Sequence, residues 1–397
     1  MKKKRLIYFI ITVFFVTGCS SEKQSKISLP CIDVTKNYPV KELILTDIAT
    51  VSYVHLNTEK DEYLYKGIIN YVTENTIVVA DESSGSILFF SKDGEPKSHF
   101  NRFGEGPEDY GFKGRSLKVI YDEAVDDVFL RIIGGFNVYS STGEYKRKIV
   151  LPQGTIVSSL VDYDDQSFFL FDFQNDFNRS SKDGKDLVFP SNDSSYFRIS
   201  KIDGKVMEYV IFQSIEIDLT NYITTSNGGW MTQKRPHGKI QKCPLGLYIF
   251  RIDADTIFLC GKDKSITPIF CKTPLASKLE SKVLLTDFIE TDRYQFLQVS
   301  PFVWENLPSR KLYFRDKQSG NIYKQKISLP DYKEKEFSIF DTNMQNHANV
   351  NQVAFLLDLF ELKEAYKANK LSGKLKELVA KLDENNDNDV YMFVTFK

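Results

Sequence analysis

The chain has 397 residues, of which 42% are hydrophobic and 14% aromatic, with 52 basic side chains against 53 acidic ones. That apolar content excludes a disordered chain. A net charge of −1 lacks the basic surplus that nucleic-acid binding requires. The aromatic surplus favours β structure, and the length suits two or three ordinary domains or one repeat architecture.

The chain opens on Lys2, Lys3, Lys4 and Arg5, followed by an uncharged run from Leu6 to Val16. A helix through that run would reach about 16 Å, roughly half a bilayer core, so it reads as the apolar region of a secretory signal. Val16-Thr17-Gly18-Cys19 follows. Small residues let a signal peptidase grip an extended backbone, and the Cys19 thiol is a nucleophile for lipid attachment. The pattern resembles the lipobox of bacterial lipoproteins. Residues 1–18 are therefore expected to be the signal peptide, and residues 19–41 a lipidated flexible tether. Cleavage would remove four positive charges and no acid, leaving a mature charge of ~−5. The lipid would hold the protein on a membrane. No later stretch approaches about 18 uncharged apolar residues, so no transmembrane helix is expected.

The body repeats a turn set between strands. Its copies are Ser91-Lys92-Asp93-Gly94-Glu95, Ser141-Thr142-Gly143-Glu144 and Lys201-Ile202-Asp203-Gly204-Lys205, then Gly261-Lys262-Asp263-Lys264 and Lys317-Gln318-Ser319-Gly320-Asn321. Asp-Gly and Ser-Gly between apolar runs are hairpin signals, because Gly accepts the positive φ of tight turns. The copies recur about every 56 residues, slightly above the period of propeller blades, which implies blades with long connections. A solenoid would leave open ends, whereas a closed ring removes them. Residues 42–397 are accordingly expected to form an all-β, six-bladed β-propeller of four-stranded antiparallel blades. The sixth blade would join Thr50–Asn57 to Val390–Phe396. Within 353–382, Leu371, Leu375, Leu378 and Leu382 fall at helical spacing, which predicts a short helical insertion before the last strand.

Cys31, Cys243, Cys260 and Cys271 would sit in an oxidising compartment and match no metal-binding spacing. A hairpin over 262–265 sets Cys260 opposite about Thr267 and Cys271 opposite about Thr256, too far apart to bridge. Buried free thiols are expected.

Ile77-Val78-Val79-Ala80-Asp81, Ile87-Leu88-Phe89-Phe90-Ser91 and Asp93-Gly94 resemble the strand-turn-strand pattern of the six-bladed β-propeller lipoproteins of Bacteroidota-type bacteria. Gly104-Glu105-Gly106-Pro107-Glu108-Asp109-Tyr110 resembles that family's Gly-x-Gly-Pro-Gly-Glu-Tyr loop, with Glu108 and Asp109 in place of Gly and Glu. Ser52 to Asn57 and Leu378 to Phe396 resemble its opening and closing segments. The resemblance implies the propeller fold and a cell-envelope address, and it carries no assigned activity.

The four His residues, His55, His99, His237 and His347, stand at no metal spacing, and there is no Gly-x-Ser-x-Gly elbow or phosphate-binding glycine loop. No catalytic residue, metal or cofactor is assigned. Asp122-Glu123 and Asp126-Asp127 lack the pattern of a calcium loop and read as a solvated turn. The ligand-binding candidates are Trp230, Arg235 and His237, in a long connection over 221–242, with Arg102 and Tyr110 flanking the Gly-Pro loop. Aromatic area beside hydrogen-bonding groups suits a sugar or a peptide. The expected role is a cell-envelope lipoprotein, held at the outer membrane, that binds or scaffolds a glycan, peptide or envelope protein without catalysis. The alternative is a hydrolase or lyase with a metal-assisted site at the central channel.

Overall fold

The computed structural model describes residues 29–58, 61–111, 117–172, 196–210, 220–224, 230–234, 238–252, 254–279, 282–302, 310–341, 344–347 and 349–397. The recurring turns of the sequence are one structural element, the hairpin between the third and outermost strands of a blade. In blade one that turn joins Ile87–Ser91 to Pro96–Phe100, and in blade two Gly135–Tyr139 to Tyr145–Val150. In blade three it joins Tyr196–Ser200 to Val206–Val210. Blades four and five place it after Thr256–Gly261 and Lys311–Asp316. Gly94 has φ 92°, and a Cβ there would lie 2.0 Å from the His55 carbonyl oxygen, so this turn requires glycine both for its own conformation and to dock on blade six. Blade four makes the same turn with Lys264 at φ 66°.

Blades one to five are antiparallel meanders whose innermost strands are Gly67–Val72, Val119–Asp122, Val157–Asp164, Gly238–Cys243 and Val283–Glu290. Second strands such as Thr76–Asp81, Ser167–Asp172 and Gly246–Arg251 are buried at every residue, because neighbouring blades cover both their faces. Outer strands alternate half-buried and exposed residues, as sheets do with one face to solvent.

The two ends of the chain meet in blade six. Val390–Phe396 lies between Gln352–Leu357 and Ala49–His55, with Val390 opposite His55 and Phe396 opposite Ala49. This is the expected closure, in a blade of three strands among the described residues. The apolar run 353–357, placed in the helical insertion by its sequence, is the innermost strand of that blade. A short apolar run has no period of its own, and its neighbours decide its form. The two helices are Leu359–Lys367, capped by the Asp358 carboxylate on the Glu361 amide, and Gly373–Val379. They bury Leu362, Leu375 and Val379 against the cluster containing Phe355 and Met392.

The tether expectation is corrected from Cys31 onward. Cys31–Asp33 runs parallel to the outer strand of blade four, Ile266–Thr273, and Val40–Ile44 runs parallel to that of blade five, Ile322–Leu329. Ile32 and Leu43 are buried there, which explains why this segment docks. The thiol expectation is corrected with it. Cys31 faces Cys271 across the parallel pair at a Cα separation of 4.4 Å and forms a disulfide with it. Cys243 and Cys260 are free and buried.

The segment between blades five and six leaves the rim. Tyr332–Glu336 pairs with the outer strand of blade five, whereas Met344–His347 pairs in parallel with the innermost strand of blade one, Met344 opposite Ile69. The free edge of that innermost strand faces the propeller axis, so this segment runs inward and narrows the channel.

Candidate ligand-binding channel

A cavity of about 370 Å³ occupies the channel where the innermost strands of all six blades converge. Its asymmetry follows from strand length. The inner strand of blade two has four residues, against eight in blades three and five. Behind its short edge, Phe129, Arg131 and Phe136 of the next strands reach the cavity. On the far side Ile339 and Phe340, from the inward-running segment, form the wall.

The polar lining divides by position along the strands. Lys118 and Arg131 lie together where the chain enters blade two, and the Arg131 amide donates to the Lys118 carbonyl at 3.1 Å. The Arg131 guanidinium donates to the Val157 carbonyl at 2.6 Å, which ties blade two to blade three. Lys118 loses hydration in this setting and faces Arg131, and both effects hold its pKa below the ordinary lysine value. Deeper in, Lys239 meets Asp287 at 2.5 Å, and Gln298 donates to the other oxygen of that carboxylate at 2.7 Å.

At the opposite end Tyr71 donates to Asp162 at 2.6 Å. Lys201, its side chain 5% exposed, bridges Asp162 at 2.9 Å and Asp122 at 3.3 Å. Burial and the neighbouring carboxylates push the Tyr71 hydroxyl far above its usual pKa. The ammonium of Lys201 also lies over the rings of Phe129 and Phe168. The acidic pairs that the sequence suggests are solvated are instead engaged, Asp122 and Glu123 across blade junctions and Asp127 within blade two. Glu123 accepts from Thr73 at 2.8 Å and Thr76 at 2.5 Å in blade one, and Asp127 holds Lys146 at 2.9 Å and Arg147 at 2.6 Å. Among the described residues, no group of three or more His, Cys, Asp or Glu side chains could hold a metal ion.

Of the residues singled out from the sequence, Arg102 and Tyr110 lie away from the lining of this channel. Tyr110 is 1% exposed, packs against Phe100 and Tyr139, donates to the Gly85 carbonyl at 3.0 Å and accepts from the Arg102 amide at 3.2 Å. It packs as a plug between blades one and two. Arg102 pairs with Glu108 at 3.2 Å and lies over the Tyr139 ring. Asp109 organises the glycine loop, its carboxylate accepting from the Gly106 amide at 2.8 Å. A Cβ on Gly104 or Gly106 would fall 2.5 or 2.6 Å from that carboxylate, which is why both positions are glycine. Trp230 opens the strand Trp230–Lys234, which pairs with Thr220–Thr224 in a hairpin, and Gly238–Cys243 is an inner strand, so 221–242 is not one long loop. Arg235, His237 and Cys19 lie outside the described residues.

Sequence reasoning missed the channel residues. Lys118, Arg131, Asp162, Lys239 and Asp287 stand far apart in the chain, each as an ordinary charge within an apolar strand. Only the convergence of blades makes them a set.

A family profile described as a 6-bladed beta-propeller matches residues 20–233, more than half of the chain. No curated protein matches the sequence. A candidate exported protein from Bacteroides fragilis shares 17% identity with a TM-score of 0.59, over 93% of this chain and 99% of that one. A member of the duf4221 family from Bacteroides vulgatus shares 11% identity with a TM-score of 0.47, over 88% of this chain and 97% of that one. At 17% identity the Bacteroides fragilis protein shows a shared fold alone.

Proposed function

We propose, for a chain that belongs to the 6-bladed beta-propeller family DUF5128, the role of an extracytoplasmic lipoprotein whose central channel binds a ligand without transforming it. The observation that carries the binding reading is the channel cavity itself, about 370 Å³ in volume and walled by side chains of every blade. The two carboxylates that line it, Asp162 and Asp287, are each already engaged by a lysine. That arrangement suits recognition better than the metal-assisted hydrolase or lyase chemistry that is the alternative. A glycan fragment or a peptide end would fit this volume, whereas an envelope protein would use the outer surface. The address rests on the basic and apolar start of the chain, on Cys19 and on the Cys31–Cys271 disulfide, which belongs to an oxidising compartment. Lipid on Cys19 would hold the protein at the outer membrane.

A thermal-shift screen of the soluble chain starting at residue 20 tests the channel reading, with Leu160→Trp as a variant that fills the cavity. Ligands should raise the Tm of the parent chain and not that of the variant. Shifts retained in the variant, or turnover of a bound compound, would refute the reading. Cys19→Ser should move the protein from the membrane to the soluble fraction.

A further inference from the structure

We propose that the channel takes a short apolar peptide in extended form, held through its main chain as a strand added to the inner edge of blade three. This inference rests on the channel being the ligand site and names the chemistry of that ligand. Five successive residues of the inner strand of blade three, Ser158 to Asp162, line the cavity, as do Lys239 to Lys242 of blade four. Side chains alternate between the two faces of a strand, so a cavity that meets one face is lined by every second residue. Successive residues reach it when the edge itself, with its main-chain N–H and C=O groups, forms the wall.

Such an edge is a template for a further strand. The chain uses it in that way once already, in the same channel: Met344–His347 adds in parallel to the inner strand of blade one. Blade four answers its edge differently. The Ser159 hydroxyl accepts from the Ile240 amide at 3.2 Å and donates to the Ile240 carbonyl at 3.3 Å. On blade three, the Val157 carbonyl accepts from Arg131. Beyond it, Val157–Asp164 pairs with Ser167–Asp172 on one side and with no other strand among the described residues. From Ser158 to Asp162 this open edge runs about 13 Å, the length of about four extended residues. The walls beside it are apolar: Phe129, Phe136, Phe288, Ile339 and Phe340. Side chains of an added strand would bury against those walls, where a glycan would present hydroxyls.

The test uses isothermal titration calorimetry on the soluble chain from residue 20. The probes are acetylated, amidated tetrapeptides with Ala, Val, Leu or Phe at each position, and chitotriose as the glycan. Peptides should bind and chitotriose should not. The tightest peptide is then remade with one amide at a time replaced by an ester, which removes an N–H without adding bulk. Successive N–H groups of an extended strand point to opposite sides, so the replacements should alternate between about fivefold weaker binding and no change. Leu160→Trp should abolish peptide binding. Equal loss at every ester, or loss at none, would overturn strand addition while the Leu160→Trp result upholds the channel as a site. Binding of chitotriose and of no peptide would overturn the peptide inference in favour of a glycan. Peptide binding that survives Leu160→Trp would overturn both this inference and the channel reading. No binding of any probe would overturn the peptide inference and leave the channel reading to the thermal-shift screen.

Discussion

At the closing seam, Val390–Phe396 meets Ala49–His55 through seven paired positions, and Val390, Met392 and Val394 are wholly buried. Around the channel, blades two and three meet through Lys201, Asp122 and Asp162, with Tyr71 of blade one joining them. The first contact is apolar and backed by a continuous ladder. The second is ionic and depends on a few atoms. The difference teaches how a propeller divides its labour. Burial of apolar area is non-directional and tolerates sequence change, so it suits the ring closure. Charged groups impose geometry, so they suit a junction where a few atoms fix how three blades meet.

The sharpest way to break this contrast is to charge the seam. Val394→Asp places an unpaired carboxylate where the side chain is fully buried. Its cost of several kcal/mol is comparable to the ~5–15 kcal/mol stability of a typical domain. The variant is expected to lose its cooperative thermal transition and its near-UV circular dichroism. A folded Val394→Asp protein would show that the seam is not what closes the ring.

Next in size is the ionic junction. Lys201→Met removes the cation between Asp122 and Asp162, and breaking one partner of a buried pair costs about 3 kcal/mol or more. Chemical denaturation should show that loss, and Asp162→Asn in the same background should recover part of it, since the two residues share one network. Strict additivity of the two changes would mean that Lys201 acts through packing on Phe129 and Phe168 alone.

The covalent clip on blade four ranks third. Cys31→Ser should lower stability by about 2–4 kcal/mol without opening the seam, because the strand Cys31–Asp33 and the closing strand are separate pairings. In the denatured, unreduced chain from residue 20, a maleimide should label two thiols, Cys243 and Cys260, and leave Cys31 and Cys271 unlabelled. Labelling of all four would remove the clip from the comparison.

The seam was legible in the sequence and the channel was not, for a physical reason. Hairpin turns need glycine or another residue at positive φ, so Gly94, Gly143, Gly204 and Gly320 mark the blades one after another. The closing strand needs apolar residues on both faces, so Val390 to Phe396 stands out. A channel site needs only one or two residues per blade, and Lys118 or Asp287 alone resembles any surface charge. The Cys31–Cys271 pairing was hidden in the same way. Its partners are 240 residues apart, and docking of Cys31–Asp33 on blade four brings them together. Tyr110 shows the converse: a loop aromatic conspicuous in the sequence is packed into a blade junction.

The smallest effect tests the titratable histidine at the end of the seam. His55 ends the strand Ala49–His55, with its Nε2 3.5 Å from an Asp387 oxygen and no hydrogen bond to that nitrogen. Burial lowers its pKa, and the nearby Asp387 and Glu95 carboxylates offset that only in part. The folded pKa therefore lies below the unfolded value of about 6.5, and the unfolded chain takes up a proton first as pH falls. The stability that neutral His55 contributes is complete above about pH 6.5 and is lost progressively below it. His55→Asn should accordingly lose less stability than the parent chain on acidification from about pH 7.5 to about pH 5.5, by less than ~1 kcal/mol. Relative stabilisation of the parent at the lower pH would reverse the sign. The Asp387 carboxylate would then outweigh burial, and the seam would hold an ion pair of the kind that otherwise joins blades two and three.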